Sequence, residues 1–494
     1  SHLSVTYQHG SRAAQLAYGS ILADLDAGSK VIVATDSKKK SATLTALIAS
    51  ELPKKRLLNI NADTVGGEEQ QAFIRNPNAV CVEYDIIIHS PSISSGVSIE
   101  VPHFDRGYGL FFGVIAPSDA IQMIRRSRTL TEWHLAFDSN NLNDSTDATN
   151  IIEGMEQAAT NTATEFDVFR ANSVAWLNKG CNHFARNMLY LLESSGFQLN
   201  LLPDNETDYA DDAIKEAKGE AYNQRINAIL EAEDLERDDL EKIKRNQNAT
   251  YAEKMAVRRA YIRNALKLPN LTVGDIEFFD EGRGLAKLER FELAANIKKS
   301  LTEDEDQNLS LRRNNAVKAK SYKRILGPLG IDLITGEGSY GVEEAAAVVD
   351  MVMEQKTLLS YLKIVPNSVN YNCPEDTIKF VGRILELMGL KTRARQKQKG
   401  GIRKRYYSIK PDGFGSIRER AVRRRIAAEL PPVVSTKDRW GSAHFQQTSI
   451  QEIDEVCTFE LQQLGVFAPP EDSDYDHPEP PWQGSCRQLF TCQL

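Results

Sequence analysis

DIIIHSPSISSGVSIE (residues 85–100), FFGVIAP (111–117) and QMIRRSR (122–128) are the three stretches that decide the fold we expect. The apolar, β-branched run at the start of the first stretch predicts a buried strand that ends in a Ser-rich loop. FFGVIAP predicts a second short strand, and QMIRRSR predicts a helix that carries cations. Strand, polar loop, strand and basic helix in this order favour a surface that binds a nucleotide between two lobes.

The residues before this region alternate between predicted strands and helices, which is typical of a parallel sheet with crossover helices. Ligands of such a sheet lie beyond the carboxyl ends of its strands, so the loops Thr35–Lys38 and Ser90–Gly96 are candidates to hold phosphates. A plain polar loop with a glycine turn is the alternative for Ser90–Gly96. The predicted strands are Lys30–Thr35, Leu57–Ile60 and Asp85–His89, and the predicted helices are Ser11–Leu25, Ser41–Leu52 and Glu68–Arg75.

Four polar side chains cluster in QMIRRSR: Gln122, Arg125, Arg126 and Arg128. On a helix they do not share one face, so at least one Arg is expected to point back toward the sheet edge. Guanidinium groups suit phosphates because their planar forks make bidentate, permanently charged contacts. A solvated basic helix face is the alternative.

Composition sets broad bounds on the chain. Its 494 residues predict about two to four domains. With 41% hydrophobic and 26% charged residues it can bury a core, although the net charge of -8 does not by itself indicate a nucleic-acid partner. The six Cys lack any CxxC pair, which favours an intracellular protein without a disulfide framework. Because the sequence opens with Ser1-His2 and no Met, we expect a tag remnant or a fragment of a longer protein.

Four stretches in order, KVIVATDSKKKSATL (30–44), EEQQAFIRNPN (68–78), SPSISSGVSIE (90–100) and QMIRRSR (122–128), resemble motifs IV to VI of a known family. The family is the superfamily 2 helicases, in their second RecA-like domain. The likeness is greatest to the herpesvirus-type origin-binding helicase and to related replication proteins of plasmids, phages and cyanobacteria. It covers roughly residues 12–138 and implies a location in the bacterial cytoplasm or, for a virus, the host nucleoplasm.

The resemblance implies that Gln122 and Arg126 face ATP, with Arg126 as the arginine finger and Arg128 as its neighbour. It places Gly96 beside the ribose and phosphates, and we assign Ser98 and Arg125 to the same nucleotide-facing group. The sequence departs from the commoner pattern at Arg125, where many members have Gly, and at Ser98, where Asp is commoner. The residues expected to contact the tracked DNA strand are Thr35, Ser37, Lys38, Ser90, Ser94 and Ser95.

The sequence contains neither the GxxxxGK[ST] phosphate loop nor an Asp-Glu pair after an apolar strand. A motor of this class needs two lobes, because the first binds ATP and Mg²⁺ while the second supplies the finger. We therefore expect this chain not to hydrolyse ATP alone and to share ATP and Mg²⁺ with a first lobe that was removed or lies on another chain. No cluster of His and carboxylates predicts a metal site within the chain itself.

Composition shifts divide the chain into five predicted segments. The stretch Asp208–Leu268 is dense in Glu, Lys, Arg and Ala and predicts long helices that break near Asn246–Asn248. Its mixed charges favour a solvated face, with an arm that guides a nucleic-acid strand as the alternative. The predicted segments are the RecA-like sheet domain 1–139, a linker with a small helical and strand segment 140–205, an α-helical domain 206–335, a winged helix 336–430 and an acidic tail 431–494.

The winged-helix prediction rests on three predicted helices, Val342–Met353, Leu358–Ile364 and Glu375–Met388, followed by strands Leu390–Lys399 and Ile402–Lys410 around a Gly-Gly turn. From residue 391 to 425, fourteen Lys or Arg face two acids. Such a charge favours duplex DNA as partner, and a solvated hairpin is the alternative. The cations expected to bind DNA are Lys391, Arg393, Arg395, Lys397 and Lys399, which alternate along one strand face, together with Arg403 and Arg405.

The tail carries a net negative charge, opposite to that of the hairpin, since residues 451–480 contain nine acids and no Lys or Arg. It is interpreted as a solvated terminus, a partner-binding tail or a pseudo-substrate that covers the basic hairpin. For the whole chain, the sequence predicts the C-terminal portion of an ATP-dependent DNA helicase or replication initiator of a plasmid or phage. The alternative is a non-enzymatic winged-helix initiator or regulator whose sheet domain is an inactive scaffold.

Overall fold

The computed structural model describes residues 3–93, 96–137, 144–159, 162–202, 211–295, 309–365, 374–399 and 402–427. Within these ranges the chain forms two compact units. The first unit contains the residues up to Thr146 together with 176–261, and the second contains 147–175 together with 262–427. The five segments predicted above stay a prediction, and the acidic tail lies outside the described residues.

A seven-stranded sheet forms the centre of the first unit, with strand order β3-β4-β2-β5-β6-β1-β7. Every neighbouring pair is parallel, which confirms the parallel α/β sheet expected from the sequence. The strands are β1 (Leu3–His9), β2 (Val31–Thr35), β3 (Leu57–Ile60), β4 (Ile86–His89), β5 (Arg106–Phe111), β6 (Glu132–Phe137) and β7 (Phe197–Leu201).

The predicted helices of the first 80 residues are confirmed to within a few residues as the first three helices of the chain. In chain order the helices are α1 (Ala13–Asp26), α2 (Lys38–Glu51), α3 (Glu68–Arg75), α4 (Pro77–Val80), α5 (Pro117–Ile124), α6 (Ala148–Ala159), α7 (Glu165–Asn182), α8 (Phe184–Ser194), α9 (Asp211–Glu231), α10 (Arg237–Arg245), α11 (Tyr251–Leu266), α12 (Val273–Phe279), α13 (Arg283–Ala294), α14 (Leu309–Leu326), α15 (Val342–Glu354), α16 (Lys356–Tyr361), α17 (Pro374–Leu387) and α18 (Pro411–Ala427).

Helices cover both faces of the sheet and bury its central strands. One apolar cluster joins α1, α2 and α9 to the sheet, and a second joins α3, α5 and α8 to the opposite face. Every residue of β2 and β4 is buried, as expected of strands between two helical layers. The predicted break between long helices is also confirmed, because α10 ends at Arg245 and α11 begins at Tyr251.

The prediction of a strand at FFGVIAP is wrong. Strand β5 lies earlier and ends at Phe111, so most of the apolar run forms the loop that leads into α5. Two glycines inside β5 weaken its strand signal. Packing requires the first of them, since a Cβ on Gly107 would lie 2.7 Å from the indole ring of Trp133.

In the second unit, α15, α16 and α17 are followed by an antiparallel hairpin of β8 (Thr392–Lys399) and β9 (Ile402–Ile409). The three predicted helices and the two predicted strands are therefore confirmed as elements, and the Gly-Gly turn lies outside the described residues. Tyr340 forms an isolated antiparallel β-bridge with the hairpin: its N–H donates to the carbonyl of Tyr407 at 3.0 Å, and its carbonyl accepts the Tyr407 N–H at 2.8 Å.

Helix α18 is held to the helical part of the second unit by two buried ion pairs. Arg420 Nη1 lies 2.5 Å from Asp275 Oδ1, and Arg424 Nη1 lies 3.1 Å from Glu292 Oε2. Burial works to raise the pKa of Asp275, but hydrogen bonds from Arg420 and Thr272 outweigh it and lower that pKa. These two arginines therefore stabilise the fold.

We expect Arg420→Ala to lower the free energy of unfolding of the second unit by about 3 kcal/mol, because it leaves the buried carboxylate of Asp275 without its cation. Urea titration measures this loss. Arg423→Ala is the matched control: Arg423 pairs on the surface with Glu419, and its loss is expected to cost less than about 1 kcal/mol. Equal losses in the two variants would show that the Asp275 pair is not structural.

His89 ends β4 and is 1% exposed, and neither ring nitrogen has a hydrogen-bond partner among the described residues. Burial, with the charge of Arg126 as the smaller cause, lowers the pKa of His89 from 6.5 to about 3. Below pH 6.5 the unfolded chain binds a proton that the folded chain does not bind. Stability is therefore lost as the pH falls from 6.5 toward 3, by up to about 1.4 kcal/mol per pH unit.

We expect His89→Gln to remove this part of the acid sensitivity. The thermal unfolding midpoint of wild type should fall more steeply between pH 7 and pH 4.5 than that of the variant, whatever the variant's stability at pH 7. His183→Gln, which replaces an exposed imidazole before α8, serves as control. If wild type and His89→Gln lose stability in parallel, His89 accepts a proton inside the fold.

Candidate nucleotide and nucleic-acid interface

Three loops that begin at neighbouring strands meet at one edge of the sheet. Strands β4, β2 and β5 are adjacent and parallel, so their carboxyl ends lie side by side. The loops that leave them contain Thr35–Lys38, Ser90–Val97 and Phe112–Ala116. This is the edge at which parallel α/β sheets bind their ligands, and it carries the phosphate-binding loops predicted from the sequence.

Asp36 fixes two of these loops to each other. Its carboxylate is 7% exposed and accepts the backbone N–H groups of Phe112 at 2.9 Å and Val114 at 2.7 Å. Asp36 was not among the site residues predicted from the sequence. Its position, as a single acid directly after a buried strand, was the feature that could have indicated it. Its hydrogen bonds stabilise the loop in which the sequence had suggested a strand.

The helix predicted for the Arg-rich segment is confirmed only for its first residues, Gln122–Ile124, and Arg125 and Arg126 form a turn after it. Helix α5 ends at Ile124, and Ser127 forms a parallel bridge with Ile99. The Ile99 N–H donates to the carbonyl of Arg126, and the Arg128 N–H donates to the carbonyl of Ile99, both at 2.8 Å. This pairing joins the Arg-rich segment to the end of the Ser-rich loop.

The guanidinium of Arg126 lies against that loop. Its two terminal nitrogens donate to the carbonyls of Val97 at 3.3 Å and Ile93 at 3.2 Å. Burial lowers the pKa of Arg126, although a guanidinium stays charged. Buried His89 lies close enough to feel that charge. Arg126 thus points back toward the sheet edge, as expected for one Arg of the cluster.

The other predicted nucleotide-facing residues lie around this contact. Arg128 Nε donates to Ser98 Oγ at 3.3 Å, and the guanidinium of Arg125 lies 5.6 Å from the ring centroid of Phe197. Gln122 is exposed on α5. Gly96 is also exposed, and a Cβ there would meet nothing within 4 Å, so packing within the chain does not require glycine at this position.

The residues predicted to contact a nucleic-acid strand differ in accessibility. Thr35 is fully buried and its hydroxyl accepts the Ser37 N–H, while Ser37 caps α2 by accepting the N–H of Lys40. Ser90 is 5% exposed and donates to Ser92 Oγ at 3.1 Å. Lys38 Nζ lies 3.0 Å from Asp63. Ser94 and Ser95 lie outside the described residues.

The basic hairpin has two charged faces, because side chains of directly paired residues share a face. Arg395 is paired with Tyr406 and Lys397 with Lys404, so this face carries the alternating cations of β8. On the other face the predicted residues Arg403 and Arg405 are paired with Gln398 and Gln396. Lys391 directly precedes β8.

The described residues contain no group of three or more His, Cys, Asp and Glu arranged to hold a metal ion. Among the described helices, none has both the length and the apolar character needed to cross a membrane.

Comparison with known proteins gives a helicase-related similarity over part of the chain. No protein-family model matches it. The chain is 30% identical over 111 residues to the putative helicase/primase complex protein of African swine fever virus, covering 22% of this chain and 10% of the viral protein. It is 32% identical over 119 residues to an uncharacterized protein of Picosynechococcus sp., covering 22% of this chain and 12% of that protein. The chain thus spans about a tenth of the length of these relatives.

Among solved structures, domain 2 of the DEAD-box helicase Mss116p, bound to an RNA duplex, aligns over 57% of this chain and 94% of its own, with 11% identity and a TM-score of 0.26. The helicase domain of Pyrococcus furiosus Hef aligns over 92% of this chain and 78% of its own, with 9% identity and a TM-score of 0.17. These scores carry no argument about the fold, which rests on the strand order itself. The similarity in sequence is thus to a putative helicase/primase complex protein and to an uncharacterized protein, over about a fifth of this chain.

Proposed function

We propose that this chain is the C-terminal portion of an ATP-dependent DNA helicase or replication initiator of a plasmid or phage. Its sheet unit is then a second RecA-like lobe that senses ATP through motifs V and VI. The observation that carries the proposal is the attachment of the Arg-rich segment to the Ser-rich loop, through the Ile99–Ser127 bridge and the guanidinium of Arg126. The sequence similarity to a viral helicase/primase complex protein supports the same class.

The attachment suggests how ATP is coupled to DNA. Hydrogen bonds from a charged group contribute about 1.5–3 kcal/mol each, so the two bonds of Arg126 restrain the loop carbonyls of Ile93 and Val97. A γ-phosphate is a stronger acceptor than a carbonyl, because it is itself charged. When the phosphate draws the guanidinium away, the Ser-rich loop is released to change its contact with the DNA strand. Loss of the phosphate restores the restraint.

The residues at this edge fit an ATP molecule shared between two lobes. Gly96 leaves space for a ribose or phosphate, and the exposed side chains of Gln122 and Arg128 are accessible to it. Since the described residues hold no carboxylate cluster for Mg²⁺, the metal ligands and the phosphate loop are assigned to a first lobe. ATP bound there supplies the phosphoryl group whose developing charge Arg126 stabilises.

For the second unit we propose a winged helix that grips duplex DNA. Helices α15 to α17, the β8–β9 hairpin and the β-bridge at Tyr340 give the order of elements that this motif requires. The hairpin face that carries Arg393, Arg395 and Lys397 is the contact surface, because alternating cations on one strand match a phosphate backbone.

Replacement of Arg393, Arg395 and Lys397 by Ala is expected to weaken binding of a labelled DNA duplex. Each lost phosphate contact lowers the slope of log affinity against log salt by about 0.9, so the slope should flatten by about 2–3. Fluorescence anisotropy at several salt concentrations measures it. The control replaces Lys54, Lys55 and Arg75, three cations of the first unit, and should leave the slope unchanged. A wild-type slope in the hairpin variant would exclude this face from the DNA contact.

In the complete two-lobed motor, Arg126→Ala is expected to lower the turnover number for ATP by about 1000-fold, because the transferring phosphate loses its arginine. DNA affinity measured without ATP should shift to the value that ATP gives in wild type, because the Ser-rich loop has lost its restraint. Arg186→Ala, at an exposed arginine of α8, is the control. If turnover stays near wild type, Arg126 is not the finger. If turnover falls while DNA affinity without ATP stays at the wild-type value, Arg126 acts on the phosphate and does not restrain the loop. A complete protein that binds DNA without ATP turnover would favour the non-enzymatic initiator.

A further inference from the structure

A group of cations lies at the β3 side of the same sheet edge, outside the motifs used above. Lys38 begins α2, Arg225 belongs to α9, and Lys254 and Arg258 belong to α11. Asp63, in the loop after β3, is the carboxylate among them: its Oδ2 lies 3.0 Å from Lys38 Nζ and 3.9 Å from Arg225 Nη2. These five residues are called the Lys38 cluster below.

Close contacts hold α11 against the loop that carries Asp63. Gln71 Nε2 donates to Asn248 Oδ1 at 3.2 Å. Gly66 contacts the turn that precedes α11. A Cβ on Gly66 would lie 2.1 Å from the carbonyl oxygen of Ala249, so no side chain fits at this position. These contacts fix the position of α11, and with it Lys254 and Arg258, within the first unit.

The Lys38 cluster carries more positive than negative charge: its four cations surround Asp63, and Glu253 is a second carboxylate within electrostatic reach of Lys254. Burial lowers the pKa of Lys38, and the charges of Arg225 and Arg258 lower it further, while Asp63 opposes the shift. Burial likewise lowers the pKa of Lys254. The Nζ of Lys254 is almost inaccessible and has no hydrogen-bond partner among the described residues. Such a group costs free energy unless an anion binds it.

We propose that the Lys38 cluster binds backbone phosphate of a single nucleic-acid strand, so that α9 and α11 complete the strand contact begun by the loop Thr35–Lys38. This inference rests on the proposed function and adds to it a second binding element. The guanidinium groups supply forked donors and the ammonium groups supply point charges, which together match the oxygens of a phosphodiester. Tyr251, 37% exposed and within electrostatic reach of Asp63 and Arg258, offers a ring for a neighbouring base.

The test measures binding of a fluorescein-labelled oligothymidylate to the whole chain by anisotropy. Lys254→Gln and Arg258→Gln are each expected to weaken binding about fivefold and to flatten the log–log salt slope by about 0.7, the value for one phosphate of a single strand. Lys218→Gln, at an exposed position on α9, is the matched control and should change neither quantity. The same loss is expected in the background that lacks Arg393, Arg395 and Lys397, because the Lys38 cluster belongs to the first unit and the hairpin to the second.

Unchanged affinity and slope in Lys254→Gln and Arg258→Gln would overturn the inference. If the hairpin variant still loses affinity for duplex DNA, the proposed function survives that result. If wild type does not bind oligothymidylate, the inference fails as well. A thermal shift by inorganic pyrophosphate that Lys254→Gln abolishes, without an effect on the oligonucleotide, would assign the site to free phosphate compounds and also overturn the inference.

Stability separates a binding role from a structural one. Without nucleic acid, Lys254→Gln is expected to unfold at the same temperature as wild type or higher, because it removes one of several like charges. The oligonucleotide should raise the unfolding temperature of wild type more than that of the variant. A fall of several degrees in the variant without nucleic acid would show that Lys254 stabilises the fold, which contradicts the inference.

Discussion

Parallel pairing of β4, β2 and β5 is the constraint on which the first unit depends. Because the three strands run in one direction, their carboxyl ends and the loops that follow lie at one edge. The carboxylate of Asp36 then joins the loop after β2 to the loop after β5. The Ile99–Ser127 bridge joins the end of the Ser-rich loop to the Arg-rich segment. Every proposed contact with ATP or with a nucleic-acid strand in this unit is positioned by these pairings.

The buried cations of the two units differ in whether a carboxylate neutralises their charge. In the second unit, Arg420 and Arg424 each face a buried carboxylate, so their charge is neutralised and they stabilise the fold. In the first unit, Arg126 contacts carbonyl oxygens, and Lys38 and Arg225 share the carboxylate of Asp63. A carbonyl or a shared carboxylate compensates a cation only in part, so the sheet edge remains a favourable place for an anion.

We propose different forms of nucleic acid for the sheet edge and for the hairpin. The loops and the Lys38 cluster combine buried and half-buried polar groups, and we assign them to a flexible single strand. The alternation of cations along β8 is assigned instead to the regularly spaced phosphates of a duplex. A helicase or initiator needs both kinds of contact, because it acts where a duplex becomes single strands.

Sequence alone was enough to predict those strands and turns whose signals lie in consecutive residues. The β-branched runs that became β2 and β4 predicted strands of the sheet, and two predicted strands around a Gly-Gly turn signal predicted the β8–β9 hairpin. The position of β5 was not predictable in this way, because Gly107 weakens the strand signal. Glycine is required at this position by the ring of Trp133, which lies on the neighbouring strand.

Only the tertiary structure decided which polar groups meet. Arg126 was expected on a helix, yet α5 ends at Ile124 and the Arg126 carbonyl accepts the Ile99 N–H of the Ser-rich loop. The guanidinium donates to carbonyls of the same loop. The cations of the Lys38 cluster come from α2, α9 and α11, which are far apart in the chain. The sequence singled out Lys38, whereas the mixed charges of the α9 and α11 region favoured a solvated face. Their contact depends on how helices pack across the sheet edge, and spacing along a single sequence carries no signal for such packing.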